Sequence, residues 1–166
     1  MKWKKPTVIT ILLLLFFQKS AYGAPSSALD IFDIIYRLEP GTNVEVAYDM
    51  LGSPHERIER MLTMPPALRW DIKPYGTYIL YLRDSFTIHT STYHEIYDQM
   101  EPALQRYKEL KEGFHEILDV AGVPFREFDH TTGWLIGNFF GVKYEKLSFL
   151  LGSKHRVGIF FVPRKE

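Results

Sequence analysis

Gly41-Thr42-Asn43-Val44-Glu45-Val46-Ala47-Tyr48-Asp49-Met50-Leu51-Gly52-Ser53-Pro54 reads as a short helix with both ends written into it. Thr42 is an N-cap type and Glu45 follows three residues later, the spacing of a capping box. Val46, Ala47, Met50 and Leu51 fall on one helical face. Gly52 suits a positive φ just past the helix, and Pro54 forbids continuation. A helix this short is unstable alone, so its apolar face must dock on something else.

These residues resemble a known family. A Gly-Thr pair, an apolar residue midway, and Leu51-Gly52-Ser53-Pro54 beginning ten residues after Gly41 are similar to the SmpA/OmlA (BamE) family. Its members are small envelope proteins that assist outer-membrane β-barrel assembly. The resemblance covers residues 28–92 and implies two short helices on a small antiparallel sheet, a fold shared with the β-lactamase-inhibitor proteins. Thr42 stands where the family usually has Met, and the chain has no cysteine for the lipid anchor that most members carry.

Residues 1–23 read as a secretory signal. Lys2, Lys4 and Lys5 precede ten residues, Val8–Phe17, that are apolar except for Thr10. That run is well short of the ~20 residues a spanning helix needs. Ala21-Tyr22-Gly23 places small residues at −3 and −1, so cleavage is expected between Gly23 and Ala24. The remainder, 24–166, suits one domain. Removing residues 1–23 takes four lysines from a chain of 20 basic and 20 acidic residues, leaving 16 and 20, a net charge of −4. A nucleic-acid partner would want a basic face instead. With no cysteine there is no disulfide, thiol nucleophile or thiolate metal site.

Upstream of the opening stretch, Ser27 can cap a helix, with Asp30 favouring its positive end. Ile31, Ile34, Ile35 and Leu38 follow helical spacing, and Glu39-Pro40-Gly41 ends the element. Helices at 28–38 and 43–51 thus form an αα-hairpin. Downstream, His55–Met61 reads equally as a short strand or a helical turn. Leu68, Trp70 and Ile72 alternate with Arg69 and Asp71 as a half-buried strand. Thr77–Arg83 is a central strand, and Phe86–Thr92 returns to complete a meander of three or four strands. Residues 93–101 read as a connection. Pro102 opens a long amphipathic helix with Leu104, Tyr107, Leu110, Phe114, Ile117 and Leu118 on one face, ending at Gly122.

The last third echoes the hairpin. Gly141, Glu145, Leu151, Gly152, Ser153 and His155 repeat Gly41, Glu45, Leu51, Gly52, Ser53 and His55 one hundred residues later. Read this way, Thr132–Phe140 and the residues after Gly141 form a degenerate second αα-hairpin, similar to the tandem copies in the β-lactamase-inhibitor proteins. Val157–Val162 is one further strand, apolar on both faces apart from Gly158, which suits an interior place in the first sheet. The expected fold is α+β: an αα-hairpin packed on a small antiparallel sheet, with a C-terminal helical extension and one added strand.

Candidate chemistry is sparse. His94-Glu95-Ile96-Tyr97-Asp98 and His115-Glu116-Ile117-Leu118-Asp119 both read His-Glu-x-x-Asp. A zinc-protease helix wants a second His where these carry Asp98 and Asp119. His89 and His94 have no standard site spacing, and Asp129-His130 has no evident serine partner. There is no Gly-x-Ser-x-Gly elbow and no phosphate-cradling glycine loop. No cofactor is expected. Trp134-Leu135-Ile136-Gly137-Asn138-Phe139-Phe140-Gly141 is too apolar for an ordinary loop; it is either packed inside or part of an exposed contact patch. Trp134, Leu135, Phe139 and Phe140 are the candidate partner-binding residues. The expected function is that of an exported, non-enzymatic protein of the cell envelope or secreted space that binds another protein; this reading is compatible with membrane contact but not with a membrane span. The alternative is a small secreted hydrolase using His and Asp/Glu. Export predicts Ala24 as the mature N-terminus, which N-terminal sequencing of the natural protein checks; a soluble cytoplasmic product starting at Met1 refutes it.

Overall fold

The computed structural model describes residues 27–59, 64–72, 76–119, 122–123, 125–150 and 152–164. The expected signal and its Gly23/Ala24 junction lie outside the described residues. Three helices are described: α1 (Ala28–Arg37), α2 (Glu45–Leu51) and α3 (Met100–Asp119). The strands are β1 (Glu56–Ile58), β2 (Ala67–Ile72), β3 (Gly76–Leu82), β4 (Ile88–Tyr97), β5 (Phe125–Phe128), β6 (Thr131–Ile136), β7 (Asn138–Phe149) and β8 (Gly152–Val162). They make one antiparallel sheet of order β1-β2-β3-β4-β8-β7-β6-β5.

This overturns the expected small sheet with an αα-hairpin and a helical C-terminal half. Residues 132–140 and 141–151, expected as a second helix pair, are β6, the turn after it, and β7, which ends at Phe149; Leu151 lies outside the described residues. The error has a local cause. A run apolar on both faces carries no period that separates a buried strand from a buried helix, and Gly133, Gly137 and Gly141 punctuate it at helical spacing. Its aromatic and β-branched content favours a strand, which wins once both faces are packed. Residues 93–97, expected as a connection, instead extend β4. The repetition lies in the topology rather than in the hairpin: one helical segment then a four-stranded meander, twice, with β4 and β8 paired antiparallel at the centre.

The capping box falls elsewhere too. Thr42 does not cap α2, because its segment is already paired with the start of β4 and the turn before it: Ile88 N donates to Thr42 O at 2.9 Å and Val44 N donates to Phe86 O at 2.8 Å. The Asn43 side chain takes the Glu45 amide instead, at 2.9 Å. A complete capping box forms at Ser27 and Asp30, where α1 begins. At the far end of α2, Gly52 adopts a φ of 74°, and its carbonyl accepts a hydrogen bond from the Trp70 indole at 2.9 Å. That bond anchors α2 on β2.

The helices pack on one face of the sheet. Strand alternation sends Leu68, Trp70, Tyr78, Leu80, Tyr93, Trp134, Phe140, Val142, Val157, Ile159 and Phe161 into this layer, and all are buried. Phe140 sits at the hub. Its ring meets Phe32 of α1 edge-on at 5.2 Å, Phe114 of α3 at 5.0 Å, Trp134 of β6 at 5.8 Å and Phe161 of β8 at 5.9 Å. Gly113 lets α3 approach α1 closely, since a Cβ there would stand 2.5 Å from the Cβ of Ala28. One hydrophobic cluster therefore runs through both meanders. Phe140→Ala should cost about 3–5 kcal/mol, the usual loss for a fully buried ring. Urea denaturation followed by circular dichroism and by tryptophan fluorescence should show one coincident, shifted transition; separate transitions would mean the halves are independent.

Candidate functional site

Because the described helices share one face, the opposite face of the sheet has no helical cover among the described residues. Register fixes what it presents. Glu56, Arg69, Ile79, Thr92, Phe160, Gly141, Gly133 and Arg126 form one row across all eight strands. The next row runs Asp71, Thr77, His94, Gly158, Lys143, Thr131 and Phe128.

The β6–β7–β8 part of this face is flat and aromatic. A Cβ on Gly141 would fall 2.4 Å from the Phe160 ring, and a Cβ on Gly133 would fall 2.2 Å from the Phe139 ring. Both rings thus lie down over the glycines, 5.8 Å apart and 31° from coplanar. Gly in a strand interior is costly unless something approaches closely; here the rings fill that space. Leu135 (38% exposed) and Val162 border them, each in register with Phe139.

The neighbouring part is charged and internally paired. Arg69 bridges Glu56 at 3.1 Å and Asp71 at 2.9 Å, and the Thr77 hydroxyl donates to Asp71 at 2.9 Å. Across β4, Glu145 accepts from Lys143 at 2.6 Å and from Arg156 at 2.8 Å. Burial works against the charge on Glu145, yet these hydrogen bonds hold its carboxyl below the usual range. His94 stands between the two groups. Burial first, then the Arg156 and Arg69 cations, push it down to about 4, only partly offset by Glu145 and Asp71.

The expected partner-binding residues separate by parity. Leu135 and Phe139 are on the open face. Trp134 and Phe140 are 1% and 0% exposed in the core, so they have no surface to offer a partner. A continuous apolar run in a strand necessarily serves both faces. Phe160, Val162 and the two glycines are the part of this patch the sequence did not reveal. Cross-strand glycine–aromatic pairing would have been a usable signal only with the register in hand.

The His-Glu pairs do not assemble. In β4, His94 and Glu95 point to opposite faces. Glu95 is buried beneath α3, accepting from Tyr93 at 2.9 Å, from Tyr97, and from Arg106 at 3.1 Å. Its oxygens are committed to a structural ion pair. Burial and Glu95 itself raise Tyr93 and Tyr97. His115 on α3 lies against the rings of Phe125 and Trp134. His89 falls at the irregularity where β3 and β4 shift register, and Asp129 and His130 lie 3.9 Å apart on the exposed β5–β6 turn. Among the described residues, no group of three or more His, Asp or Glu side chains gathers as a metal site.

Compared with known proteins, the chain matches no family model, no curated sequence and no solved structure.

The pH behaviour of His94 follows from its surroundings. Its folded pKa lies below the ordinary 6.5, so the unfolded chain takes up the proton first. Its stabilising contribution is complete above pH 6.5 and is lost as pH falls toward 4. The loss should be on the order of 1–3 kcal/mol, the lower end reflecting partial exposure. Urea midpoints measured from pH 7 to 4 should fall less steeply for His94→Gln than for the parent; parallel slopes would remove the effect.

Proposed function

We propose that this chain is an exported protein that acts by protein–protein contact, through the open face of its sheet. One observation carries the reading: Phe139 and Phe160 are laid flat over Gly133 and Gly141 beside Leu135 and Val162, on a face that no described helix covers. Aromatic side chains held rigidly at little entropic cost are favoured as binding anchors. Beside them the Arg69 and Arg156 ion-pair groups supply a polar border of the kind interfaces use for orientation. The signal-like N-terminus puts the partner in the envelope or secreted space. A role in envelope assembly, or as an inhibitor-like binder, is what the SmpA/OmlA and β-lactamase-inhibitor resemblances add to this reading.

The test is capture of envelope proteins by tagged chain, comparing parent with Phe160→Asp. Loss of an aromatic anchor should weaken capture of a specific partner by about thirtyfold or more. His115→Ala, on α3 at the other side of the sheet, should leave it unchanged. Equal capture by the parent and Phe160→Asp, with both folded by circular dichroism, would refute the sheet face as the contact surface.

A further inference from the structure

The two longest strands, β7 and β8, run past the rest of the sheet. β6 pairs with β7 only as far as Lys143, and β4 pairs with β8 only as far as His155. Beyond the Lys146–His155 pair, the two strands continue together through Leu147–Lys154, Ser148–Ser153 and Phe149–Gly152 as a free two-stranded ribbon. Three rows at a rise of ~3.4 Å make a projection of about 10 Å before the turn.

The chemistry of that projection is unusual. Hairpin turns of two residues favour Asn-Gly, Asp-Gly or Gly pairs, but between Phe149 and Gly152 this chain has Leu150-Leu151. Phe149 is 61% exposed and Leu150 fully so. From Leu147 to Ser153 there is no charge, and a lysine stands at each boundary: Lys146 on β7 and Lys154 on β8. Residues 143–156 carry Lys143, Lys146, Lys154 and Arg156 against the single acid Glu145, in a chain that is acidic once residues 1–23 are set aside. Lys154 is paired with Asp98, whereas Lys146 has no ion-pair partner among the described residues.

We propose that the β7–β8 tip inserts into the surface of a lipid bilayer carrying anionic headgroups. Among the described residues, nothing in the core uses Phe149 or Leu150, and a water-exposed turn gains nothing from them. Interfacial segments bury their apolar side about 5–10 Å into the headgroup and acyl boundary, the depth that the uncharged tip spans. Lys146, and Lys154 once it exchanges the exposed Asp98 for a headgroup, then form a collar there, their stems along the apolar boundary and their ammonium groups outward. Each basic residue at such a surface adds attraction to anionic lipid that salt screens. The inference stands apart from the sheet-face reading, since it uses neither Phe139 nor Phe160.

The absence of cysteine makes the test clean. Full-length chain carrying Leu150→Cys is labelled with an environment-sensitive fluorophore, and a second sample is labelled at Ser85→Cys, in the turn at the opposite end of the sheet. Each is mixed with phosphatidylcholine vesicles and with vesicles containing phosphatidylserine. The label at 150 should shift to the blue with phosphatidylserine, be quenched by nitroxides in the upper acyl chain, and lose the shift in high salt, while the label at 85 does neither. Lys146→Glu should raise the lipid concentration needed, and Phe149→Asp should raise it by about tenfold or more. No shift at 150 with either vesicle overturns the proposal. So does an equal shift with phosphatidylcholine alone, which denies the lysine collar a role, or a shift that appears without lipid as protein concentration rises, which assigns the tip to a second copy of the chain.

Discussion

The rest of the structure depends on the packing of four rings around Phe140. Phe32, Phe114, Trp134 and Phe161 arrive from α1, α3, β6 and β8, and each meets the same side chain. Three of these contacts are edge-on and the Trp134 one is tilted; aromatic pairs of this kind add about 0.5–1.5 kcal/mol each beyond burial. More important is what they join. They tie the two meanders together beyond the β4–β8 ladder and give the helices a common floor. Gly113 belongs to the same constraint: only a residue without a Cβ lets α3 come close enough to α1 for both to reach one ring.

With the described helices on one face, the described residues leave a wide sheet face to be made tolerable in water. The chain does this in two ways. On β1 and β2, and again on β7 and β8, charged side chains neutralise one another in short ion-pair groups. On β6, β7 and β8, rings are laid over glycines, which hides one side of each ring against the backbone and leaves a flat surface. The first device leaves a polar surface, while the second leaves an apolar plane open to a partner. This asymmetry makes the aromatic part the candidate contact surface and the charged part its border.

Beneath α3, the Glu95–Arg106 pair illustrates a different use of charge. Such a pair adds little net stability, because both ions are taken from water, but separating the partners leaves an uncompensated buried charge. With Tyr93 and Tyr97 also donating to Glu95, the helix has one favourable register on β4. Its role is to specify position rather than to supply a base, since the carboxylate has no oxygen left uncommitted.

Much of the local structure was legible in the sequence. Ser27 and Asp30 announced the start of α1, Gly52 and Pro54 the end of α2, and the apolar face from Tyr107 to Leu118 the long helix α3; these are short-range matters of capping, backbone freedom and period. The sheet's extent was not. From Trp134 to Gly141 both faces are apolar, so parity is invisible until partners on β7 and β8 assign one face to the core and the other to the surface. For the same reason Trp134 and Phe140 could not be told from Leu135 and Phe139. The motif from Gly141 to Ser153 imitates a helix ending, yet long-range pairing with β8 makes it a strand and a ribbon tip. Thr42 failed as a cap because its carbonyl is held by Ile88, more than forty positions away. Sequence by itself determined charge, absence of thiols, helix ends and the supply of aromatic side chains. Tertiary structure alone decided strand register, and register decides which rings are buried, which lie open over glycine, and how far β7 and β8 project, because each depends on contacts between residues remote in the chain.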